Sequence, residues 1–346
     1  MRAFQLIRHG SAKDVFKDVE VPKPTLKKEE DVLIKVTAFG LNYADVMARK
    51  GLYRAAPALP SILGYEVVGE IVEAKDQTNK SWIGKRVLAM TRFVGYAEYA
   101  KTNINGVVAL PEDISDGTAL ALATQYCTAY FALCHEIKLY PNETVLIHAA
   151  SGGVGTALTQ LAKWKGCQVI GLTRSPEKVK YLKNNGVDIP IVTTQSDYKT
   201  EIESHAKKIK IAAVFNAVGG KTVKKDLSLL DTNGKLVLFG ISDRSNQRKG
   251  LFFTLWQLFK IGKFHPVFLL MKSQGLIGLN LLSIADEKPE KLKFVLNELL
   301  KLAQQKKIKP VAEHKFAWHE LPEAHDGFEK GKYTGKIFID LNGISY

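Results

Sequence analysis

Cysteine is scarce in this sequence, and long apolar runs are missing. Three cysteines, Cys127, Cys134 and Cys167, are too few for a disulfide framework or for a zinc site built from four thiolates. No stretch reaches the roughly 20 apolar residues that span a bilayer. The amino terminus, MRAFQLIRHG, has no apolar core of signal-peptide length. We therefore expect a cytoplasmic protein with reduced thiols, whose contact with membranes is peripheral at most.

Basic residues are in excess, but they are not clustered. The chain of 346 residues has 49 Lys and Arg against 35 Asp and Glu, which gives a net charge of +14. The lysines form no tail and the sequence shows no RNA or DNA module, so we expect no nucleic-acid partner. The excess is compatible with a phosphate-bearing ligand or an anionic membrane surface. The 46% apolar and 24% charged fractions indicate a globular protein, and the length indicates two domains.

Two patterns follow each other along the chain. The first third carries short β-branched runs between glycine and polar turns, such as residues 31–39, 67–72 and 86–89, which predicts a small barrel-like β domain. From about Ile114 a long helical stretch leads into strands that alternate with helices. This alternation predicts a parallel, doubly wound α/β sheet. A strong amphipathic helix between Pro289 and Pro310 and a last strand close the chain.

The segment VLIHAASGGVG, residues 145–155, carries the clearest functional signal. A short apolar strand runs into a glycine-rich turn that opens a helix, and Ala150, Gly152 and Gly155 match the G-x-G-x-x-G fingerprint with Ala in the first position. Free N–H groups at a helix start bind a pyrophosphate, and glycine lets the backbone approach it. The context predicts a dinucleotide site, with a plain strand-to-helix turn as the alternative. We expect His148 to be a hydrogen-bonded core histidine.

The end of the following strand favours NADPH over NADH. NAD enzymes usually have Asp or Glu there, which accepts from the ribose hydroxyls. Here the segment offers Thr173, Arg174, Ser175 and Lys178, and the first acid is Glu177, already inside the helix. Arg pairs bidentately with a phosphate, so this end fits a 2′-phosphate. The alternative is that the two basic residues form only a solvated helix start.

Several segments spread over the chain carry a family pattern. They are GLNYADVMARKGLY (40–53), ILGYEVVGEIV (62–72), HAASGGVG (148–155), AVFNAVGG (213–220) and KLVLFGI (235–241). Together they resemble the zinc-independent medium-chain dehydrogenase/reductases, in particular the quinone oxidoreductase branch and, within it, the synaptic vesicle amine transport protein homologues. The resemblance implies a Rossmann doubly wound parallel sheet inserted into a GroES-like β-barrel domain. Its parts are residues 1–120, the Rossmann domain 121–260, and 261–346, which return to the first domain with an apolar helical insertion and a closing strand.

The resemblance also implies which residues bind the cofactor and that the protein forms a dimer. The residues expected to line NADPH, besides the basic strand end, are Thr128, Ser151, Gly152, Gly153, Val154, Gly155, Asn216, Val218, Phe239 and Gly240. Tyr198 resembles the tyrosine that packs on the adenosine phosphate of the cofactor. We also expect a homodimer.

Metal ligands are missing where zinc members of this superfamily have them. The first ligand position holds Asn42 or Tyr43, and the G-H-E triplet reads G-Y-E around Tyr65. Neither Asn nor Tyr is a usual zinc ligand, and residues 80–110 lack the cysteines of a structural zinc lobe. We therefore predict no metal. The segment HELPEAH is superficially like a zincin motif, but Pro322 breaks the helix that would align its imidazoles.

Without a metal, the expected reaction is hydride transfer from the nicotinamide to a quinone or an α,β-unsaturated carbonyl. Asn42, Tyr53 and Tyr65 are the candidates to donate hydrogen bonds to the developing oxyanion, although the tyrosines could equally be core packing. Tyr43 and Asp45 are weaker candidates, since Asp45 could instead cap the following helix. The expected substrate is a small apolar carbonyl or quinone.

An alternative function follows from the aromatic stretch LFFTLWQLFKIGKFHPVFLLMK, residues 251–272. A helix that is apolar on most of its surface is normally buried, here as a substrate lid or a subunit contact, which we favour. The other cover is a membrane surface, with Lys260, Lys263 and Lys272 facing anionic headgroups. In that case the chain is an NADPH-binding peripheral membrane or partner-interaction protein with little turnover.

Overall fold

The computed structural model describes residues 1–204, 209–242 and 266–342. Contacts along the chain divide it into two units. Unit 1 consists of Met1–Cys127, Leu281–Lys306 and Pro310–Tyr346, and unit 2 of Thr128–Asn280 and Lys307–Lys309. Both junctions fall later than the expected boundaries at 120/121 and 260/261. The second differs because the strand Gly275–Gly278 still pairs within the sheet of unit 2 before the chain returns to unit 1.

The strands lie where the β-branched runs predict them, with additions in both units. Those expected at 31–39, 67–72 and 86–89 are confirmed and extend slightly further. In chain order the strands are β1 (Arg2–Leu6), β2 (Phe16–Glu20), β3 (Asp31–Leu41), β4 (Ser61–Ile62), β5 (Glu66–Ala74), β6 (Arg86–Met90), β7 (Tyr99–Asn103), β8 (Val107–Ala109), β9 (Thr144–Ile147), β10 (Gln168–Thr173), β11 (Ile189–Val192), β12 (Ile211–Asn216), β13 (Leu230–Leu238), β14 (Gly275–Gly278), β15 (His314–Ala317) and β16 (Ile337–Asp340).

The helices begin and end at glycine and proline positions in several places. The helix before Gly166 stops two residues ahead of it, and Pro289 opens the long amphipathic helix near the carboxyl end. The helices are α1 (Ala12–Val15), α2 (Tyr43–Arg49), α3 (Asp116–Ala121), α4 (Cys127–Tyr130), α5 (Gly153–Trp164), α6 (Val179–Asn184), α7 (Tyr198–Glu203), α8 (Thr222–Leu229), α9 (Pro266–Met271), α10 (Leu281–Glu287), α11 (Pro289–Gln304) and α12 (Leu321–Glu329). Two π-helical turns, Leu122–Tyr126 and Phe131–His135, follow α3 and α4.

Strand β3 is the centre of unit 1. Its sheet has the order β15-β16-β3-β5-β6-β8, β7 also pairs with β3, and a smaller sheet has the order β2-β1-β4. Nearly all of its side chains are buried, with Lys35 exposed and Thr37 half-buried, because neighbours cover both of its faces. The core around it is apolar and includes Phe39, Leu41, Val67, Tyr96 and Ile339.

Unit 2 contains the predicted doubly wound sheet. The order is β11-β10-β9-β12-β13-β14, and every pairing is parallel. After β9 the strands add on one side as β10 and β11, and then on the other side as β12, β13 and β14. The carboxyl ends of β9 and β12 therefore form the switch point at which ligands bind in open α/β sheets.

The HELPEAH segment does not form one helix. Helix α12 begins only at Leu321, after His319, and Pro322 lies in its first turn, where a missing N–H costs nothing. His325 is fully buried, its Nε2 is 3.1 Å from the Tyr96 hydroxyl, and burial holds its pKa well below the usual range. The two imidazoles thus have separate structural surroundings.

The aromatic stretch 251–272 lies mostly outside the described residues, and only its end is seen. There α9 exposes the apolar side chains of Phe268, Leu270 and Met271 by 70%, 77% and 76%. Within the described residues, no helix combines the length and apolar character needed to cross a membrane.

Candidate active site

The glycine loop after β9 has the shape that the fingerprint predicts. Its backbone is so tight that Gly155 admits no side chain, since a Cβ there would lie 2.6 Å from the Cα of Ala150 and against the carbonyl of Ala149. Ala149 has a φ of 48°, and the N–H of Ala150 donates to Leu172 O at 2.9 Å, which fastens the turn to the neighbouring strand. Ala in the first fingerprint position is therefore accommodated in a fully buried place.

The same loop presents unused donors at the start of α5. The first bond of this helix runs from Thr156 N to Gly152 O at 2.8 Å, so the N–H groups of Gly153, Val154 and Gly155 precede the intrahelical ladder. A helix of 12 residues adds its dipole to these donors. Together they fit a pyrophosphate. Ser151 is buried at the base of the turn.

The end of β10 is basic, as the sequence indicates. Thr173 is buried, Arg174 is exposed, and Ser175 and Lys178 are half-buried. The pKa of Lys178 is lowered, first by burial and then by the nearby Arg174 charge, while Glu177 opposes the shift. The exposed guanidinium of Arg174 can donate charge-assisted hydrogen bonds to a phosphate.

A buried carboxylate, Asp226, joins three side chains near the switch point. It accepts hydrogen bonds from the Tyr198 hydroxyl at 2.8 Å and from the side-chain amide of Asn216, and His148 Nε2 lies 3.0 Å away. Asp226 and Asn216 are fully buried, and His148 and Tyr198 nearly so. The expectation that His148 is a hydrogen-bonded core residue is confirmed. The Tyr198 hydroxyl is bonded within this cluster, and whether the ring contacts an adenosine phosphate stays a prediction.

Asn216 also shapes the next loop. Its Oδ1 accepts from the backbone N–H groups of Val218 at 2.7 Å and Gly219 at 2.8 Å. The N–H of Phe239 donates to the Asn216 carbonyl at 3.1 Å, and a Cβ on Gly240 would lie 2.7 Å from the Ala217 carbonyl. The structure thus brings together the predicted residues at the ends of β12 and β13. Thr128 is buried in α4.

In unit 1, the predicted site residue Asn42 belongs to a buried polar network. Its Nδ2 donates to Glu66 Oε1 at 2.8 Å, and its Oδ1 accepts from Lys336 Nζ at 3.1 Å. Lys336 also pairs directly with Glu66, whose other oxygen accepts from the backbone N–H and the hydroxyl of Thr124. Sequence reasoning missed Lys336, because no local motif surrounds a lysine that precedes the last strand.

Tyr53 and Tyr65 lie beside each other in an aromatic cluster. Their ring centroids are 6.4 Å apart in an edge-on arrangement, and Phe93 packs 5.0 Å from Tyr65. Tyr65 is only 5% exposed, and its hydroxyl makes no hydrogen bond of normal geometry within the described residues, although the Tyr53 hydroxyl lies near enough to influence its pKa. Burial raises the pKa of both phenols. A buried phenol without a partner is costly, and it is available to a ligand oxygen.

Asp45 caps α2, as the sequence analysis allowed. Its Oδ2 accepts from Asn42 N at 2.9 Å and its Oδ1 from Gly64 N at 3.2 Å. The carboxyl is fully buried, and burial raises its pKa to about 7, with the nearby Glu66 carboxylate adding to the shift and the bond from Asn42 and the Lys336 charge opposing it.

The surroundings of the three thiols disfavour the thiolate form. Burial raises the pKa of Cys134 and of Cys167 to about 11 and that of Cys127 well above its usual range. In the described structure all three are free of disulfides.

The comparisons with known proteins agree with this geometry. Residues 28–138 match the alcohol dehydrogenase GroES-like domain, and residues 153–296 match the zinc-binding dehydrogenase family. The chain is 31% identical over 342 residues to the synaptic vesicle membrane protein VAT-1 homolog of Danio rerio, over 98% of this chain and 69% of that protein. It is 29% identical to human quinone oxidoreductase, over 99% and 98% of the two chains.

A solved structure gives the same result for the fold. Escherichia coli quinone oxidoreductase complexed with NADPH superposes with a TM-score of 0.85 at 26% identity, over 99% of this chain and 100% of that one. The chain therefore belongs to the medium-chain dehydrogenase/reductases, a family of oxidoreductases. Within the family it falls in the quinone oxidoreductase branch, together with the VAT-1 homologues. The expected Rossmann sheet inserted into a GroES-like domain is confirmed.

The side chains at the zinc positions of the family do not fit a zinc ion. By the resemblance, Asn42 or Tyr43 stands at the first ligand position and Tyr65 at the second, and neither Asn nor Tyr is a usual zinc ligand. Both oxygens of Glu66 are taken, by Lys336 and Asn42 on one side and Thr124 on the other. Across residues 1–204, 209–242 and 266–342, no group of three or more His, Cys, Asp or Glu is arranged to hold a metal. Zinc independence stays a prediction, and no step below uses a metal.

We expect Asp45 to make stability fall as pH rises. The unfolded carboxyl ionises near its ordinary pKa of 3.8, whereas the folded one keeps its proton up to about 7. The folded state binds more protons between these values, so the free energy of unfolding decreases across this window, by about 4 kcal/mol in total. Asp45→Asn should flatten this slope in urea unfolding measured from pH 4.5 to 8. Parallel profiles for the two proteins would show that Asp45 does not titrate there.

We expect the basic end of β10 to select NADPH. Arg174→Ala combined with Lys178→Ala should weaken NADPH binding about 10- to 100-fold, a loss of about 1.4–2.7 kcal/mol for the pair, because solvent weakens the bonds of an exposed charge, and should leave NADH affinity nearly unchanged. Lys180→Ala, which changes an exposed lysine of the following helix α6, is the matched control. Titration calorimetry with both cofactors decides the result. An equal loss for NADPH and NADH would mean that the two side chains support the fold only.

Proposed function

We propose that the protein is an NADPH-dependent, zinc-independent oxidoreductase that reduces quinones or α,β-unsaturated carbonyls. The observation that carries this proposal is the combination, in unit 2, of the tight loop at Gly155 with a strand end that is basic at Arg174 and lacks an acid. The relatives support it, because human quinone oxidoreductase matches over the whole chain and the Escherichia coli structure is a complex with NADPH.

Each half of the cofactor has a matching set of residues in unit 2. The N–H groups of Gly153 to Gly155 receive the pyrophosphate, and Arg174 with Lys178 receives the 2′-phosphate. The loops that start at Asn216 and Phe239, rigid because of their backbone bonds, line the other half. When bound, NADPH supplies the hydride that reduces the substrate.

Unit 1 supplies the groups that act on the substrate. Reduction of a conjugated carbonyl leaves negative charge on its oxygen, and a preorganised donor in a water-poor place stabilises that charge. The buried Tyr65 hydroxyl, without a partner in the described structure, is such a donor. Tyr53 and Phe93 provide apolar faces that suit a flat, weakly polar molecule. Homodimer formation and a cytoplasmic location remain part of the proposal.

Two observations favour a second function. The Danio rerio relative is named a synaptic vesicle membrane protein, and α9 exposes apolar side chains at the end of the aromatic stretch. This chain would then bind NADPH and sit at a membrane surface with little turnover. The first function is favoured, because Tyr53, Tyr65 and Phe93 form an aromatic cluster in unit 1 that suits a flat, weakly polar substrate.

We expect Tyr65→Phe to lower kcat/KM for 1,4-benzoquinone by about 10²-fold, the usual effect of losing one oxyanion donor. Tyr53→Phe should have a smaller effect, since Tyr53 is half-buried. The affinity for NADPH should stay the same in both variants. Tyr140→Phe, 54% exposed in unit 2, is the control. Steady-state oxidation of NADPH at 340 nm measures the rates. Unchanged rates in both variants would show that neither tyrosine donates to the oxyanion, so that only the apolar pocket and the cofactor promote the reaction. If the wild type reduces no quinone, the proposed function is refuted.

We expect no co-flotation with liposomes that contain anionic phosphatidylserine. If the membrane function is correct, flotation will occur, will weaken with salt, and will be lost in Leu270→Glu. Phe294→Glu, which places the same charge at an apolar position 62% exposed on α11, is the matched control. Flotation lost only in the first variant would overturn our preference.

A further inference from the structure

Three neighbouring strand ends in unit 1 bring distant residues together. In the antiparallel pairing of β16 with β3, Ile337 lies opposite Leu41, so Lys336 comes beside Asn42. In the pairing of β3 with β5, Phe39 lies opposite Val67, so Glu66 comes beside Gly40. The three side chains therefore meet over a glycine.

Gly40 makes the meeting possible. A Cβ at this position would lie 2.6 Å from Lys336 Cε and would also overlap the Glu66 carboxylate. Lys336 and Glu66 are completely buried and Asn42 is 5% exposed. The space above Gly40 is thus filled by an ion pair that no water reaches.

The ion pair determines how the Asn42 amide points. Lys336 Nζ donates to Asn42 Oδ1 and to Leu41 O, both at 3.1 Å, while Asn42 Nδ2 donates to Glu66 Oε1 at 2.8 Å. The opposite orientation of the amide would turn its N–H groups toward an ammonium and its carbonyl toward a carboxylate. Only one of the two orientations of the amide is therefore allowed. In this orientation one N–H of Nδ2 donates to Glu66, and the second N–H has no acceptor among the described residues.

We propose that Lys336 and Glu66 are positioning residues for the reduction, which hold the Asn42 amide so that its second N–H donates to the carbonyl oxygen of the substrate. The inference rests on the proposed function, since it assigns a residue pair to that same reaction. Lys336 and Glu66 contact neither substrate nor cofactor in this scheme, and they act through Asn42 alone.

Stability by itself is a poor explanation for the pair. The cost of removing two charges from water offsets much of their attraction, and apolar residues of similar size often stabilise a fold as well. A fixed polar direction is something that apolar residues do not provide. Thr124, which donates to the far oxygen of Glu66, holds the carboxylate in turn and completes the support.

A double-mutant cycle through Asn42 tests the proposal. Lys336→Met with Glu66→Met removes both charges together, which avoids leaving one unpaired charge in the core. We expect kcat for 1,4-benzoquinone to fall about 10- to 100-fold, as for other small misplacements, with NADPH affinity unchanged. In an Asn42→Ala background the same removal should have almost no further effect, because the group that it positions is gone.

Two further variants keep the result interpretable. Arg49→Met with Glu329→Gln removes a different ion pair of unit 1, in which Arg49 is 1% exposed, and should leave kcat unchanged. If the Met pair does not fold, Lys336→Met with Glu66→Gln replaces it, because the Gln carbonyl still accepts from Thr124. This variant removes the bonds from Lys336 to Asn42 Oδ1 and Leu41 O and the bond from Asn42 Nδ2 to Glu66. A loss that is the same with and without Asn42 would overturn the proposal.

A readout without substrate separates this proposal from the proposed function. In protein labelled with ¹⁵N-asparagine, the side-chain signals of Asn42 are identified by their disappearance in Asn42→Ala. We expect slow hydrogen exchange of these signals in the wild type and loss of the protection in the Lys336 and Glu66 variants. If the wild type reduces no quinone, the proposed function fails while this exchange still decides whether the pair holds the amide. Protection unchanged in the variants would overturn the positioning role.

Discussion

The pairing of β3 with β16 and with β5 is the constraint on which the candidate site of unit 1 depends. Side chains alternate between the faces of a strand, so a slip by one residue would move every side chain to the other face. In the observed register Lys336, Asn42 and Glu66 meet above Gly40. The two charges neutralise each other there, and this is why three polar groups can share a place without water.

In unit 2 the buried polar side chains are held together by one carboxylate instead of an ion pair. Asp226 receives bonds from Tyr198 and Asn216 and lies beside His148, so its charge is shared among several groups below the switch point. Asn216 connects this cluster to the next loop, because its side-chain oxygen accepts from two backbone N–H groups there. The loops that are proposed to hold the cofactor are thus held by buried polar groups that are hydrogen-bonded to one another.

What could be predicted from the sequence depends on how local its physical cause is. The turn around Gly155 was predictable, because the strand, glycines and helix follow within one segment, and the cap at Asp45 was predictable for the same reason. Lys336 was not, since it lies 294 residues from Asn42 and only the sheet register joins them. The bond from Tyr198 to Asp226 depends on packing between separate helices. Strand β14, GLIG, was missed because glycine has little preference for strands.

The raised pKa values of the thiols have a chemical consequence if the proposed quinone substrates are correct. Quinones are electrophiles, and they add to thiolates much faster than to neutral thiols. With a pKa of about 11, Cys134 and Cys167 are ionised in roughly one molecule in ten thousand at neutral pH. If quinones are the substrates, the same burial that packs these cysteines also protects the protein from alkylation by the molecules that it binds.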